Sequence, residues 1–452
     1  MKRTLAEAAR AVGATLNGAD RPFGEVSSDT RALEDGQLFV ALRGPNFDAN
    51  EFVAEAARRG AAGAIVERLQ PVALAQIVVA DSLAALATLA REWRRQFSIP
   101  LVGIGGSNGK TTAKEMTAAI LSHAGPCLAT RGNLNNHIGV PLTLMRLGEA
   151  HRSAVVEMGA NRAGDVAELA LLAQPTVGLV TNAGDEHLEG FGSLEGVARA
   201  EGEMFSALGG ADTAVINADD PFAPLWRELT GARRAITFGM NPGANVTARD
   251  VQQSGRSLDF ALRTPDGEGR VRLQLLGRHN VLNALAAAAA AGAAGAELEH
   301  CIRGLESVRA VRGRLDLKSA ANGAAVIDDS YNANPSSARA AIDVLRESAG
   351  VGWLVLGDMA ELGDYAVQSH VDIGRYARSK GVARLFAVGE LTRHAVEAFG
   401  PGAEWFAGAE VLIERLRGDL TADVTLLVKG SRVNRLERVV DALTRAPWMK
   451  TG

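Results

Sequence analysis

The clearest chemistry in the chain lies in ten residues, Gly103-Ile-Gly-Gly-Ser-Asn-Gly-Lys-Thr-Thr112. Glycines let backbone N–H groups close around phosphate oxygens, and the N-terminus of a following helix adds partial positive charge. In such a loop Gly106, Ser107, Asn108, Gly109 and Thr112 form the cradle. The Lys110 ammonium reaches the β- and γ-phosphates, and the Thr111 hydroxyl ligates Mg²⁺. The strict phosphate-loop spacing is not met, because Ile104 stands five residues before Gly109 where a glycine is expected. The Gly-Lys-Thr-Thr end still points to ATP or GTP, without saying what the nucleotide is used for. A second signal is Glu157, which ends an apolar run. A charge in that position of an open α/β sheet overlooks the ligand crevice.

The elements that must position these groups follow from periodicity. Leu101–Ile104 reads as a short strand and Ala113–His123 as a helix, the setting a phosphate loop requires. Ser153–Glu157, Val177–Thr181 and Ala214–Ile216 read as further buried strands, so the middle of the chain predicts a parallel sheet with helices on both faces. Ala284–Ala291 is a low-complexity helix suited to tight packing against that sheet. The last section repeats the rhythm, with strands at Ala325–Ile327, Trp353–Leu356, Leu385–Val388 and Thr425–Val428, as in a Rossmann-like unit. Before residue 100 the pattern is mixed: helical spacing at Leu5, Ala8, Ala9, Val12 and Leu16, strands at Gln37–Leu42 and Gly63–Val66, and helices over Glu51–Arg59 and Ser82–Arg95. The fold class is therefore α/β in three domains. Residues 1–83 form a small mixed α/β domain, 84–311 a central P-loop, parallel-sheet domain, and 312–452 a C-terminal Rossmann-like domain.

Composition bounds the partners. The chain has 452 residues, 47% hydrophobic and 22% charged, which excludes a disordered or fibrous protein. Its 48 basic and 52 acidic side chains give a net charge of −4, without the basic excess of a nucleic-acid binder. Two cysteines, Cys127 and Cys301, make no disulfide framework and suit a reducing cytosol. No apolar segment follows Lys2 and Arg3 as in a signal peptide, and no stretch is long enough to span a bilayer. The expectation is a cytoplasmic protein, without membrane insertion and monomeric.

The variant loop resembles that of the Mur ligase family of ADP-forming amide synthetases, and the resemblance runs from end to end. Asn133-Leu-Asn-Asn-His-Ile-Gly-Val-Pro141 is similar to the family's segment facing the reacting carboxylate, with Asn133 and Asn136 as its substrate contacts. Glu157-Met-Gly159 and Asn182-Ala-Gly-Asp-Glu-His187 end successive strands. Gly277-Arg-His-Asn-Val-Leu-Asn-Ala-Leu285, Gly313-Arg-Leu315, Asp328-Asp-Ser-Tyr-Asn-Ala-Asn-Pro335 and Lys429-Gly-Ser-Arg432 follow in order. The family activates a carboxylate by phosphorylation with ATP and lets an amine attack the acyl phosphate. The resemblance thus implies ATP and Mg²⁺ as cofactors. Lys110, Glu157, His187 and Glu201 become catalytic candidates, with Thr111 and Glu157 holding one Mg²⁺ and His187 a second. Asn280 and Asn283 lie near adenine, Arg314 meets phosphate, and Asp329 meets the ribose hydroxyls. Tyr331, Asn332, Lys429, Ser431 and Arg432 are implied as substrate contacts.

Ser28-Asp-Thr-Arg-Ala-Leu33 and Leu38-Phe-Val-Ala-Leu-Arg-Gly44 look like the nucleotide-sugar domain of the later-acting members. Ser28, Thr30, Arg31 and Arg43 are thereby candidates for the uridine diphosphate moiety. Gly357-Asp-Met-Ala-Glu-Leu-Gly363 looks like the member that joins D-alanyl-D-alanine to UDP-N-acetylmuramoyl-tripeptide in peptidoglycan precursor synthesis. The tripeptide's third residue is either diaminopimelate or lysine. Three departures stand out. Gly105 stands where the family often has Thr, and Asn50 where many relatives show His. Glu201, in Ala200-Glu-Gly-Glu203, replaces a lysine that relatives carbamylate to ligate the second metal. A carboxylate there supplies similar charge on a shorter arm, and the expectation is that Glu201 ligates this cation unmodified.

Overall fold

The computed structural model describes residues 3–186 and 188–444. Three larger sheets organise the chain, and their cores are the apolar runs seen in the sequence.

The first sheet has five strands in the order Thr15–Asn17, Gln76–Val78, Gly63–Val66, Leu38–Val40, Val26–Ser27, parallel except for the first pair. The opening helix is Leu5–Ala11, fixed by a capping box in which Thr4 and Glu7 satisfy each other's amides. It stops before Gly13, so Leu16, expected on its apolar face, lies in the first strand instead. Residues 49–52 form a 3-10 turn, and the helix expected from Glu51 begins at Val53.

Helix Ser82–Arg94, capped by Asp81, runs across the 83/84 line expected to separate two domains. Trp93 donates to Leu147 O at 3.1 Å and Arg94 to Ala173 O at 3.1 Å. Leu86 and Leu89 share one core with Ile65 and Ile77 on one side and Val166 and Leu169 on the other.

The central sheet is fully parallel: Cys127–Ala129, Ser153–Glu157, Leu101–Gly105, Val177–Val180, Thr213–Asn217, Arg234–Phe238. Its first strand in sequence, Leu101–Gly105, thus lies in the interior where the strand order reverses, the place at which such sheets open a ligand crevice. Helix Lys110–Ala124 packs on this sheet and on helices His279–Ala293 and Leu298–Ser307. Ala284–Ala291 is buried throughout, because every side chain but that of Leu285 is a methyl, which lets the two helices and the sheet approach closely. An antiparallel sheet of Thr247–Ser254, Ser257–Thr264 and Gly267–Leu273, not expected from the residue pattern, covers this core.

The C-terminal sheet runs Asp316–Ser319, Ala325–Asp329, Val424–Lys429, Val351–Gly357, Arg384–Val388, Ala403–Phe406, parallel apart from its first, antiparallel edge. Asp329 and Lys429 end adjacent strands in register. Among the described residues no helix is long and apolar enough to cross a membrane.

Candidate nucleotide and carboxylate site

A cavity of about 570 Å³ opens where the central crevice meets the C-terminal sheet. The phosphate loop forms its floor. Thr181 and Asn182, ending the neighbouring strand, moor the loop: Ser107 N donates to Asn182 O at 2.9 Å, Asn108 N to Asn182 Oδ1 at 3.0 Å, and Thr181 Oγ1 to Asn108 O at 2.7 Å. Gly109 turns the chain into the helix at φ +84°, and a Cβ there would come within 2.2 Å of Asn283 Oδ1. Only glycine allows both the turn and that approach. The amides of Lys110, Thr111 and Thr112, beyond the reach of intrahelical acceptors, lie at the cavity wall.

Lys110 folds back on its own loop, donating to Gly106 O and Ser107 O and pairing with Glu186 Oε2 at 3.3 Å. Burial alone lowers its pKa. The carboxylates of Glu186, Glu201 and Glu157 outweigh that and raise it, so the ammonium stays charged.

Glu157 is 2% exposed. Its Oε1 accepts from Asn135 Nδ2 at 2.8 Å and Thr111 Oγ1 at 3.3 Å, whereas its buried Oε2 has no hydrogen-bond partner. A buried carboxylate oxygen left without a donor beside a threonine hydroxyl fits a divalent cation. No cluster of three or more His, Cys, Asp or Glu is found among the described residues. Such a cation would therefore complete its shell from phosphate oxygens and water, the habit of Mg²⁺.

The C-terminal unit supplies the roof. Arg314 Nη2 donates to Thr111 Oγ1 at 3.3 Å, and its guanidinium lies 4.3 Å from the Tyr331 ring centroid. Lys429 Nζ bonds Asp329 Oδ2 at 2.6 Å and Asn332 O at 3.0 Å. Asp329 also accepts from Leu315 N, and the cap of helix Pro335–Glu347 is Asn334. Asn280 and Asn283 line the wall, with Asn283 Nδ2 donating to Asn280 Oδ1 at 2.9 Å.

Of the residues expected from sequence, Ser107 to Thr112, Asn136, Glu157, Asn280, Asn283, Arg314, Asp329, Tyr331, Asn332 and Lys429 converge on this cavity. His187 lies outside the described residues. Others are not brought together. Asn133 is exposed away from the wall. Ser431 is buried, accepting from Ala360 N at 2.8 Å, and the exposed Arg432 pairs with Glu437. Ser28, Thr30, Arg31 and Arg43 are on the N-terminal unit, away from this cavity, with Arg31 paired to Asp29. Asn50 is spent on structure: its amide bonds Asp48 at 2.7 Å and accepts from Glu67 N at 3.0 Å.

Gly106 and Glu201 stand behind the wall. Gly106 N donates to Glu201 Oε2 at 2.6 Å, which sets the carboxylate expected to ligate a cation beneath the loop, behind the cavity wall. Sequence reasoning missed Asn135, His279 and Glu186, all on the wall. Each lies inside a motif already singled out, beside the residues chosen there, so the signal was present in the string.

A phosphate-binding crevice in a parallel sheet, roofed by cationic and acidic side chains of a second α/β unit, defines an enzyme that uses nucleotide across an interdomain cleft. Residues 104–291 match the Mur ligase middle domain and 313–432 the Mur ligase, glutamate ligase domain. The chain belongs to the Mur ligase family. It is 43% identical to the UDP-N-acetylmuramoyl-tripeptide–D-alanyl-D-alanine ligase of Escherichia coli (strain K12) over 97% of this chain and 98% of that one. Among solved structures, MurF from Acinetobacter baumannii gives a TM-score of 0.92 at 36% identity, covering 99% of both chains. MurF from Thermotoga maritima in complex with ADP gives 0.82 at 28%, covering 92% of this chain and 96% of that one.

Proposed function

We infer that this protein is an ADP-forming ligase that joins D-alanyl-D-alanine to UDP-N-acetylmuramoyl-tripeptide in peptidoglycan precursor synthesis. The observation that carries the reading is the single cleft in which the Lys110 loop and Glu157 face Arg314, Asp329 and Lys429, in a chain alike end to end to ligases of that name. A carboxylate oxygen of the tripeptide attacks the γ-phosphorus of ATP and ADP leaves. The dipeptide amine then attacks the acyl carbon, phosphate leaves, and the amine loses a proton. The chain's part is to hold and screen anions. Lys110 leaves its loop carbonyls for the β- and γ-phosphates, the first helical amides hold phosphate oxygens, and Arg314 adds charge from the roof. Thr111 and Glu157 hold Mg²⁺, which when bound screens the phosphate charge. His187 is the proposed ligand of a second cation. Asn280 and Asn283 frame the adenine, and Asp329, fixed by Lys429, meets the ribose.

In this reading residues 1–83 take the UDP-sugar through Ser28, Thr30, Arg31 and Arg43, residues 84–311 take ATP, and residues 312–452 bring the dipeptide. The protein works as a monomer in the cytoplasm, where ATP is at hand. Product analysis tests it. ADP and phosphate should appear in equal amounts only when both the nucleotide-tripeptide and D-alanyl-D-alanine are supplied. Release that ignores the dipeptide, or that needs a different amine, overturns the reading.

A further inference from the structure

The strand Leu101–Gly105 delivers two adjacent glycines, Gly105 and Gly106, to the root of the phosphate loop. Beneath them lies the carboxylate of Glu201, on helix Leu194–Ser206 and 3% exposed. Gly106 N donates to Glu201 Oε2 at 2.6 Å, a contact between segments 95 residues apart. An ionised acceptor makes such a bond shorter and stronger than a neutral one.

The same oxygen fills the space that a side chain at position 105 would need. A Cβ added there would lie 2.8 Å from Glu201 Oε2, with the Met204 methyl 3.8 Å away. The carboxylate is buried, so it has no solvent into which to retreat without leaving the Gly106 amide. The opposite side of Gly106 is held as well, because its carbonyl accepts from Lys110. One residue of the loop is therefore gripped by an anion through its N–H and by the catalytic cation through its C=O.

We propose that Glu201 is a positioning residue, fixing the root of the phosphate loop through the Gly106 amide, and that Gly105 is the space this carboxylate requires. The proposal rests on the ligase reading for what the loop does, and it leaves the cation to Thr111 and Glu157. The two departures from the family pattern become a single device, because a Cβ at 105 would lie 2.8 Å from the Glu201 carboxylate oxygen and force it to shift off the Gly106 amide. What the loop needs from position 201 is an acceptor oxygen aimed at Gly106, which glutamine keeps and alanine loses.

The test uses full-length wild type, E201Q, E201A, G105A and the double variant G105A/E201A. ATP and magnesium are varied separately in the ligase assay, and ADP binding is measured by calorimetry. E201A and G105A should each raise KM for ATP and weaken ADP binding by roughly tenfold, the loss of one charge-assisted hydrogen bond, with a smaller change in kcat. E201Q should keep both within about threefold. The double variant should be no worse than E201A, because the contact is already gone. The magnesium requirement should not move in any of them. E201Q as impaired as E201A with a raised magnesium requirement would overturn the proposal in favour of a cation ligand. Additive losses in the double variant, or an E201A that binds ADP as the wild type does, would overturn it outright. Failure of the ligase reading looks different: the wild type then forms no product, while calorimetry still reports the loop.

Discussion

Lys110 shows how a charge is stored before it is used. Its ammonium is held by two carbonyls and Glu186, and three carboxylates keep it protonated despite burial. In the proposed reaction, phosphates would compete with these partners by bringing more charge at hydrogen-bond distance. Lys110→Ala should lower turnover by about 10³-fold or more, the scale for losing a group that stabilises developing charge, with the circular dichroism spectrum unchanged. Near-normal turnover would exclude phosphate-loop chemistry. Asn135 makes a finer test, because it touches the proposed cation only through Glu157, whose Oε1 it holds at 2.8 Å. Asn135→Ala should raise the magnesium needed for half-maximal turnover by roughly ten- to a hundredfold, the usual cost of losing an outer partner of a ligand. A shift in KM for ATP without one in magnesium would place Asn135 elsewhere in the mechanism.

At the scale of elements, legibility follows burial. The strand Ser153–Glu157 is buried at every position, has an apolar Ala154–Val156 centre, and is found where the sequence put it. The strand Thr247–Ser254 lies at a sheet edge, and its Arg249, Asp250, Gln252 and Gln253 are exposed, so nothing in its composition separates it from a loop. The helix at residue 82 is equally legible, but its role is not: only its packing shows that one face serves two units. Site residues follow the same logic. The loop from Ser107 to Thr112 is contiguous and its chemistry is written in order. The pairing of Gly106 with Glu201 depends on a helix 95 residues away, and no spacing rule reports it.

Helix Ala366–Ser379 carries a further element-scale device, His370, fully buried. Its Nε2 accepts from Met359 N at 3.0 Å and its Nδ1 meets Ala366 O at 2.7 Å, so the ring is neutral and ties the loop after the strand Val351–Gly357 to this helix. Burial holds its pKa below 6.5, and holds that of His279 below it as well. An imidazole that resists protonation when folded leaves the unfolded chain to take the proton first. Its stabilisation is complete above about pH 6.5 and is lost as pH falls from there toward the folded value. Denaturant unfolding at pH 8 and pH 5.5 should show that loss in the wild type and a smaller one in His370→Gln, which keeps an acceptor for Met359. Equal losses in both proteins would remove His370 as the origin.

At the scale of the whole molecule, the cleft exists only because two units meet. Asn108, in the loop, spends both ends of its amide on the C-terminal unit: Oδ1 accepts from Asn334 Nδ2 at 2.9 Å, and Nδ2 donates to Ser336 Oγ at 2.9 Å. Arg314 adds its bond to Thr111. Apolar contact accompanies these bonds, with Leu188 and Val197 in one core with Met359 and Leu362, and domains of one chain move across such junctions by default unless the contact is large. Two net hydrogen bonds are worth about 1–3 kcal/mol, enough to bias a closed state without locking it. In the proposed reaction the nucleotide would supply the rest, by bridging Lys110 on one unit to Arg314 and Asp329 on the other, which line the same cavity. Solution scattering should therefore show a smaller radius of gyration with nucleotide and both substrates, or their non-reactive analogues, than without. Asn108→Ala should enlarge the ligand-free radius and leave the saturated one nearly unchanged, since ligand contacts replace what the amide provided. If the ligand-free wild type is already as compact as the saturated enzyme, and Asn108→Ala does not loosen it, the units form a fixed cleft and closure is no part of the reaction.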